Sequence, residues 1–143
     1  MSIWKSKPEL FTLNHIARNT LVEHLGIQFI EIGDDFIKAS MPVDQRTSQP
    51  YGLLHGGASV ALAETLGSVG ASLCVDPHST QCVGLEINAS HLRAVREGLV
   101  IGTARPLRLG KTLQVWEVHI CDSKERLVCI SRITLAVQDR RLA

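Results

Sequence analysis

Charge of one sign is what this 143-residue sequence most lacks. Fifteen Lys and Arg stand against 14 Asp and Glu, a formal net charge of +1. A protein that grips a nucleic-acid backbone needs a clearly basic footprint, so the balance gives no support to that class. Cysteine is sparse too. Cys74, Cys82, Cys121 and Cys129 form no C-x-x-C pair, and a chain of this length holds a core without disulfides. They are expected to be reduced thiols behaving as small hydrophobes. The start, MSIWKSKPELF, has no basic region followed by an apolar core, so no signal peptide is expected and the expected location is cytoplasmic. Repeats, low-complexity segments and Gly/Ser/Pro-rich linkers are missing, so residues 1–143 read as a single domain.

Several catalytic motifs are missing as well. LGKT imitates the tail of a phosphate-binding loop, but Arg105 stands where the loop's first glycine belongs. GGASVA does not fit the G-x-S-x-G turn of serine hydrolases. His15, His24, His55, His78, His91 and His119 show no zinc-ligand spacing. A serine nucleophile, a metal and a bound cofactor are therefore not expected.

What is present is a globular composition, 45% hydrophobic and 20% charged. LFTLNHIARNTLVEHLG has helical spacing and stops at Gly26. GIQFIEIG and DFIKASMPV flank Gly33-Asp34-Asp35 and read as a hairpin. Four further strands are expected in CVGLEINASHL, GLVIGTARPLR, KTLQVWEVHIC and RLVCISRITLAVQ, with turns at Gly110-Lys111 and Asp122 to Glu125. In the first of these, Val83, Leu85, Ile87 and Ala89 form one apolar face, with Glu86, Asn88 and Ser90 on the other. The stretch 58–75 is a helix apolar around its whole circumference, and such a helix is expected to be buried on all sides. It is short for a membrane span and carries Glu64 inside it, which argues against a membrane role. The fold class is α+β: one long helix wrapped by a curved antiparallel sheet of about six strands.

The run MPVDQRTSQPYGLLHGGASVALAETLGSVG, followed by VGLEINASHLR and GKTLQVWEV, resembles the bacterial hotdog-fold acyl-CoA thioesterases. The branch it is most similar to contains the 1,4-dihydroxy-2-naphthoyl-CoA thioesterases of menaquinone biosynthesis and the proofreading thioesterases of enterobactin biosynthesis. The resemblance extends from Trp4 to the last strand. It implies a hotdog homodimer, usually a dimer of dimers (a homotetramer), with active sites at the subunit interface. The substrate would be an acyl-CoA or an acyl or aryl carrier protein. Coenzyme A would belong to the substrate.

The residues fit such chemistry. A helix N-terminus offers unpaired backbone N–H groups and a partial positive charge, which can stabilise an oxyanion. HGG puts glycines there, so a ligand can approach the backbone closely. By resemblance, Gly56 N–H is the main donor, Gln49 orients the carbonyl through its amide, and His55 holds the substrate or the loop. Glu64 is the catalytic carboxylate, either attacking the carbonyl or activating a water. Ser68 lies at i+4 from Glu64 and can hydrogen-bond the carboxylate or the water. Arg93, Arg96, Arg105, Arg108 and Lys111 are candidates for a cationic lip around the coenzyme A phosphates. The resemblance favours Gly84, His91, Arg93 and the RLGKT turn, which contains Arg108 and Lys111, for substrate binding.

Glu64 lies eight residues beyond Gly56, roughly 12 Å along a helix axis. One carbonyl cannot touch both on the same helix. Two antiparallel helices can satisfy it, each offering its start to the other's Glu64. Two alternatives share the scaffold: a hydratase or dehydratase, which uses a paired histidine and acid, and a non-catalytic acyl-CoA-binding module.

Overall fold

The computed structural model describes residues 1–142. The N-terminal stretch is two short helices instead of one: α1, Leu10–Ile16, and α2, Leu21–His24. Asn19 takes φ +61 between them. Thr20 then starts α2 by accepting the Val22 N–H at 3.2 Å, so the Asn-Thr pair is a break and a cap where helical spacing alone reads straight through. Gly26, at φ +74, ends the segment as expected.

Strands β1, Gln28–Ile32, and β2, Ile37–Pro42, form the expected hairpin around Gly33 to Phe36. Helix α3 follows, Gly56–Leu73, starting two residues earlier than the apolar run suggested. Then come β3, Thr80–His91, β4, Leu99–Leu109, β5, Leu113–Cys121, and β6, Leu127–Asp139. All six strands join one antiparallel sheet in the order β1-β2-β4-β5-β6-β3. The β4–β5 and β5–β6 turns fall at Gly110-Lys111 and at Asp122 to Glu125, as expected.

The sheet curls around α3. Leu62, Leu66, Gly67, Gly70 and Ala71 of the helix meet alternate residues of the strands, among them Val100, Trp116, Val118, Ile120 and Ile133, all fully buried. Close approach is built in at Gly70, where a Cβ would lie 2.8 Å from the Trp116 ring. Trp116 keeps its polar end satisfied by donating to Gln114 Oε1 at 2.8 Å.

Two sequence expectations need correction. First, β3 does not keep one phase. A bulge between Gly84 and Glu86 leaves Leu85 as an extra residue against β6. Before it, Cys82 and Gly84 pair with Val137 and Leu135 and face the helix; after it, Ile87, Ala89 and His91 do. Val83 is therefore on the outer face, and Leu85 is 60% exposed. Second, α3 is buried on one side only. Val60, Ala61, Glu64, Thr65 and Ser68 remain half-buried in the single chain.

Candidate active site

The site is built first from the start of α3. His55 is its N-cap, and its Nδ1 accepts the Gly57 N–H at 2.7 Å. The His55 carbonyl takes the N–H groups of Ala58 and Ser59 at 3.0 and 3.2 Å. Gly56 N–H is thus the amide of the first turn left free for a ligand. His91, at the end of β3, closes over it: a Cβ on Gly56 would sit 2.9 Å from His91 Nε2. A side chain at Gly56 would have to push that imidazole aside.

Gln49 enters from the preceding loop. Its backbone N–H donates to Leu53 O at 2.8 Å. Its side-chain Oε1 accepts the Tyr51 N–H, which leaves the amide NH₂ as the donor end. Gln49, Gly56, His91 and Arg93 line one open cleft of about 450 Å³, with Leu53, Leu54, Leu92 and Val128 as apolar walls. A carbonyl donor set, an apolar channel and an exposed cation at the rim suit an acyl thioester with a long polar tail.

Glu64 belongs to a second place. It lines a smaller cleft of about 250 Å³ with Gly84, Leu85, Glu86 and Ile87. Ser68 Oγ donates to Glu64 Oε1 at 3.0 Å, as the i+4 spacing predicts. A Cβ on Gly84 would lie 3.1 Å from the same oxygen. The carboxylate is held at Oε1, and among the described residues Oε2 has no hydrogen-bond partner. Glu64 is half-buried, less enclosed than its apolar neighbours in sequence implied.

Within one chain these groups form two half-sites. Gln49, His55, Gly56, His91 and Arg93 gather at the start of α3; Glu64, Ser68 and Gly84 gather midway along it. Arg108 and Lys111 join neither. They sit, exposed, on the β4–β5 hairpin. That is the end of the sheet where Gln114 and Cys82 reach the Ala71 carbonyl, late in α3.

Two features escaped the sequence reading. An apolar cleft of about 370 Å³ lies behind Ser68, lined by Leu13, Ile16, Val69, Leu73, Val75 and Pro77. Its outer wall comes from α1, far away in sequence. The other is Ser59, which lines the Gly56 cleft; its i+3 spacing from Gly56 was the available signal. The four cysteines are free thiols. Burial pushes the Cys74 thiol up to about 12 and raises the other three, favouring the protonated thiol. Among the described residues no cluster of three or more His, Cys, Asp or Glu could hold a metal ion, and no helix is long and apolar enough to cross a membrane.

A long helix wrapped by a six-stranded antiparallel sheet, entered through His-Gly-Gly, defines the hotdog class of α+β protein. Within that class the chain belongs to the thioesterase superfamily, which matches residues 51–129. It is 53% identical to the 1,4-dihydroxy-2-naphthoyl-CoA hydrolase of Escherichia coli, over 94% of this chain and 98% of that one. It is 54% identical to the proofreading thioesterase EntH of Cronobacter turicensis, over the same shares. Among solved structures, a mutant thioesterase from Pseudomonas aeruginosa superposes with a TM-score of 0.95 at 48% identity, covering 96% of this chain and 99% of that one. A thioesterase from Haemophilus influenzae gives 0.93 at 50%, covering 96% and 95%. The protein is an enzyme, a thioester hydrolase.

Proposed function

We propose that the protein hydrolyses an aromatic acyl-CoA, with 1,4-dihydroxy-2-naphthoyl-CoA as the leading substrate, in a site shared by two copies of the chain. The observation that carries the reading is the division into half-sites. Gly56 offers a free N–H but has no carboxylate near it, and Glu64 has a free oxygen but no oxyanion donor. The roughly 12 Å rise between them is fixed by the helix. A homodimer with antiparallel α3 helices joins each Gly56 to its partner's carboxylate, and such dimers pair further into a homotetramer. The half-open face of α3 and the unpaired edge of β3 are the surfaces such a partner would cover.

In this site Gly56 N–H and the Gln49 amide hold the thioester oxygen. Negative charge grows there as the carbonyl carbon becomes tetrahedral, so these donors favour the transition state over the bound substrate. Glu64 acts through Oε2, while Ser68 fixes Oε1. As general base it takes a proton from water, whose oxygen bonds to the carbonyl carbon; the C–S bond then breaks and the thiolate receives that proton. As nucleophile it forms a mixed anhydride that water cleaves in a second step. Both routes release the acid and coenzyme A. Neither calls for a cofactor or a metal. The acyl group would occupy the apolar cleft behind Ser68, and the coenzyme A arm would leave past His91, with Arg93 near its phosphates. Arg108 and Lys111 would reach those phosphates only from a neighbouring copy. A cytoplasmic location follows from the substrate.

The identity to a proofreading thioesterase favours one second reading, release of misloaded acyl or aryl groups from a carrier protein. The test is hydrolysis of 1,4-dihydroxy-2-naphthoyl-CoA, benzoyl-CoA, a medium-chain acyl-CoA and an aryl-loaded carrier protein. Preference for the naphthoyl thioester supports the proposal, and preference for the loaded carrier replaces it. The shared site is tested by mixing Glu64→Ala and Gln49→Ala chains. Half the dimers would be mixed and each would own one intact site, so about a quarter of wild-type activity should return. Hybrids that stay inactive after verified exchange would overturn the sharing.

A further inference from the structure

Ser59 is the most buried polar group of the Gly56 cleft, 1% exposed, whereas His91 and Arg93 are open to solvent and Gln49 is half-buried. A buried hydroxyl without a partner is unfavourable. A helix serine ordinarily avoids this by donating to the carbonyl four residues back. Thr65 does so in the same helix, to Ala61 O at 2.7 Å. For Ser59 the equivalent acceptor is His55 O, and that oxygen already receives the backbone N–H groups of Ala58 and of Ser59 itself.

Among the described residues the Ser59 hydroxyl has no protein hydrogen-bond partner, and it is not sealed off. No fully enclosed polar side-chain atom among them lacks a partner, so the hydroxyl keeps the little surface that the residue shows, in a residue that lines the cleft. Its position also matters. It lies three residues past Gly56, on the same helix face, and helical Cβ atoms tilt back toward the N-terminus. The hydroxyl is thereby directed toward the side of the free Gly56 N–H. Leu54 and Val128 line the same cleft, so the wall they share with Ser59 is partly apolar.

We propose that Ser59 is a further catalytic residue, its hydroxyl donating a hydrogen bond to the thioester oxygen bound at Gly56 N–H. The inference rests on the reading of Gly56 as the carbonyl site. A donor placed before the reaction stabilises the developing oxyanion more than the ground-state carbonyl, so its loss falls on kcat.

The experiment compares wild type, Ser59→Ala, Ser59→Cys and Glu64→Ala on the same acyl-CoA thioester, with thermal melting of each. Ser59→Ala should lower kcat by about ten- to a hundredfold. It should leave Tm unchanged or raised, because a methyl group replaces an unpaired hydroxyl. Ser59→Cys, a weaker donor, should fall between. Wild-type kcat in a folded Ser59→Ala protein would overturn the proposal, as would a fall in Tm with kcat intact. If Glu64→Ala is as active as wild type, the site reading itself fails, and Ser59 with it. If Glu64→Ala is inactive, the site stands and Ser59 is judged by its own variants.

Discussion

The two edges of the sheet are finished differently. At β1 the chain closes its own edge. Asn14 of α1 donates to Phe29 O at 3.0 Å and accepts the Phe29 N–H at 2.9 Å, satisfying both polar groups of an edge residue. The N-terminal strap adds Ile3 N–H to Asp34 O at 3.0 Å and the Trp4 indole N–H to Gly33 O at 2.8 Å. At β3 the cover among the described residues is slight: Arg140 Nε donates to Thr80 O at 3.3 Å, at the strand's first residue. The strand pairs with β6 on one side and, among the described residues, with no strand on the other. It leaves Val83 and Leu85 exposed. An unpaired edge of twelve residues is a template for another chain. The contrast teaches that one flank of the fold is capped by its own chain, while the flank carrying Glu64 and Gly84 stays uncovered within a single chain, which is where the proposed partner would dock.

The sharpest way to probe the open flank is Glu64→Gln. The amide keeps an oxygen for Ser68 but can neither attack nor take a proton. Hydrolysis should fall by about a thousandfold while Tm stays near that of wild type. Activity retained in a melted-and-checked variant would remove Glu64 from the chemistry. A second substitution tests the edge itself. Val83→Lys with Ser90→Lys puts cations on the outer face of β3 without touching the Glu64 cleft. Sedimentation should then show monomer and hydrolysis should be lost together. An active monomer would show that the site is not shared between copies, and a dimer that survives the two lysines would show that the β3 edge is not where the halves meet. The smallest change is Gly84→Ala. Its Cβ would lie 3.1 Å from Glu64 Oε1, tighter than ordinary packing, so the carboxylate must shift by a few tenths of an ångström. A loss of about tenfold in kcat is expected, with little change in Tm, read by steady-state kinetics beside thermal melting. The same loss at the closed flank is not expected for Asn14→Ala, which should act on Tm alone.

Much of the fold was legible because its signals are local. Gly33-Asp34-Asp35, Gly110-Lys111 and Asp122 to Glu125 are turn chemistry, and β-branched runs lie between them. The i+4 relation of Ser68 to Glu64 follows from helix geometry and reappears as a 3.0 Å hydrogen bond. Where the reading failed, the cause was not local. VGLEINA alternates without a break, and nothing in it announces that Leu85 is the extra residue. Glu64 sits in an apolar run, so burial was the natural expectation; the single chain leaves that face half-open. Charge and the family resemblance group Arg108 and Lys111 with Arg93. Strand order, which is not local, places them at the other end of the sheet within one chain, so that only a second copy could bring them to the same phosphates. The wall that α1 gives to the cleft behind Ser68 depends on tertiary contact over more than fifty residues.

The bulge at Leu85 can also be understood as a change of reading frame within one strand. Residues before it and residues after it answer to different neighbours, and the extra residue absorbs the mismatch between them. The half that ends in His91 can stay fixed over Gly56 while the half that begins at Thr80 varies in length, shape or apolarity. The outer part of the strand is then open to mutation without disturbing His91 or Gly56, whose N–H is proposed to hold the thioester oxygen.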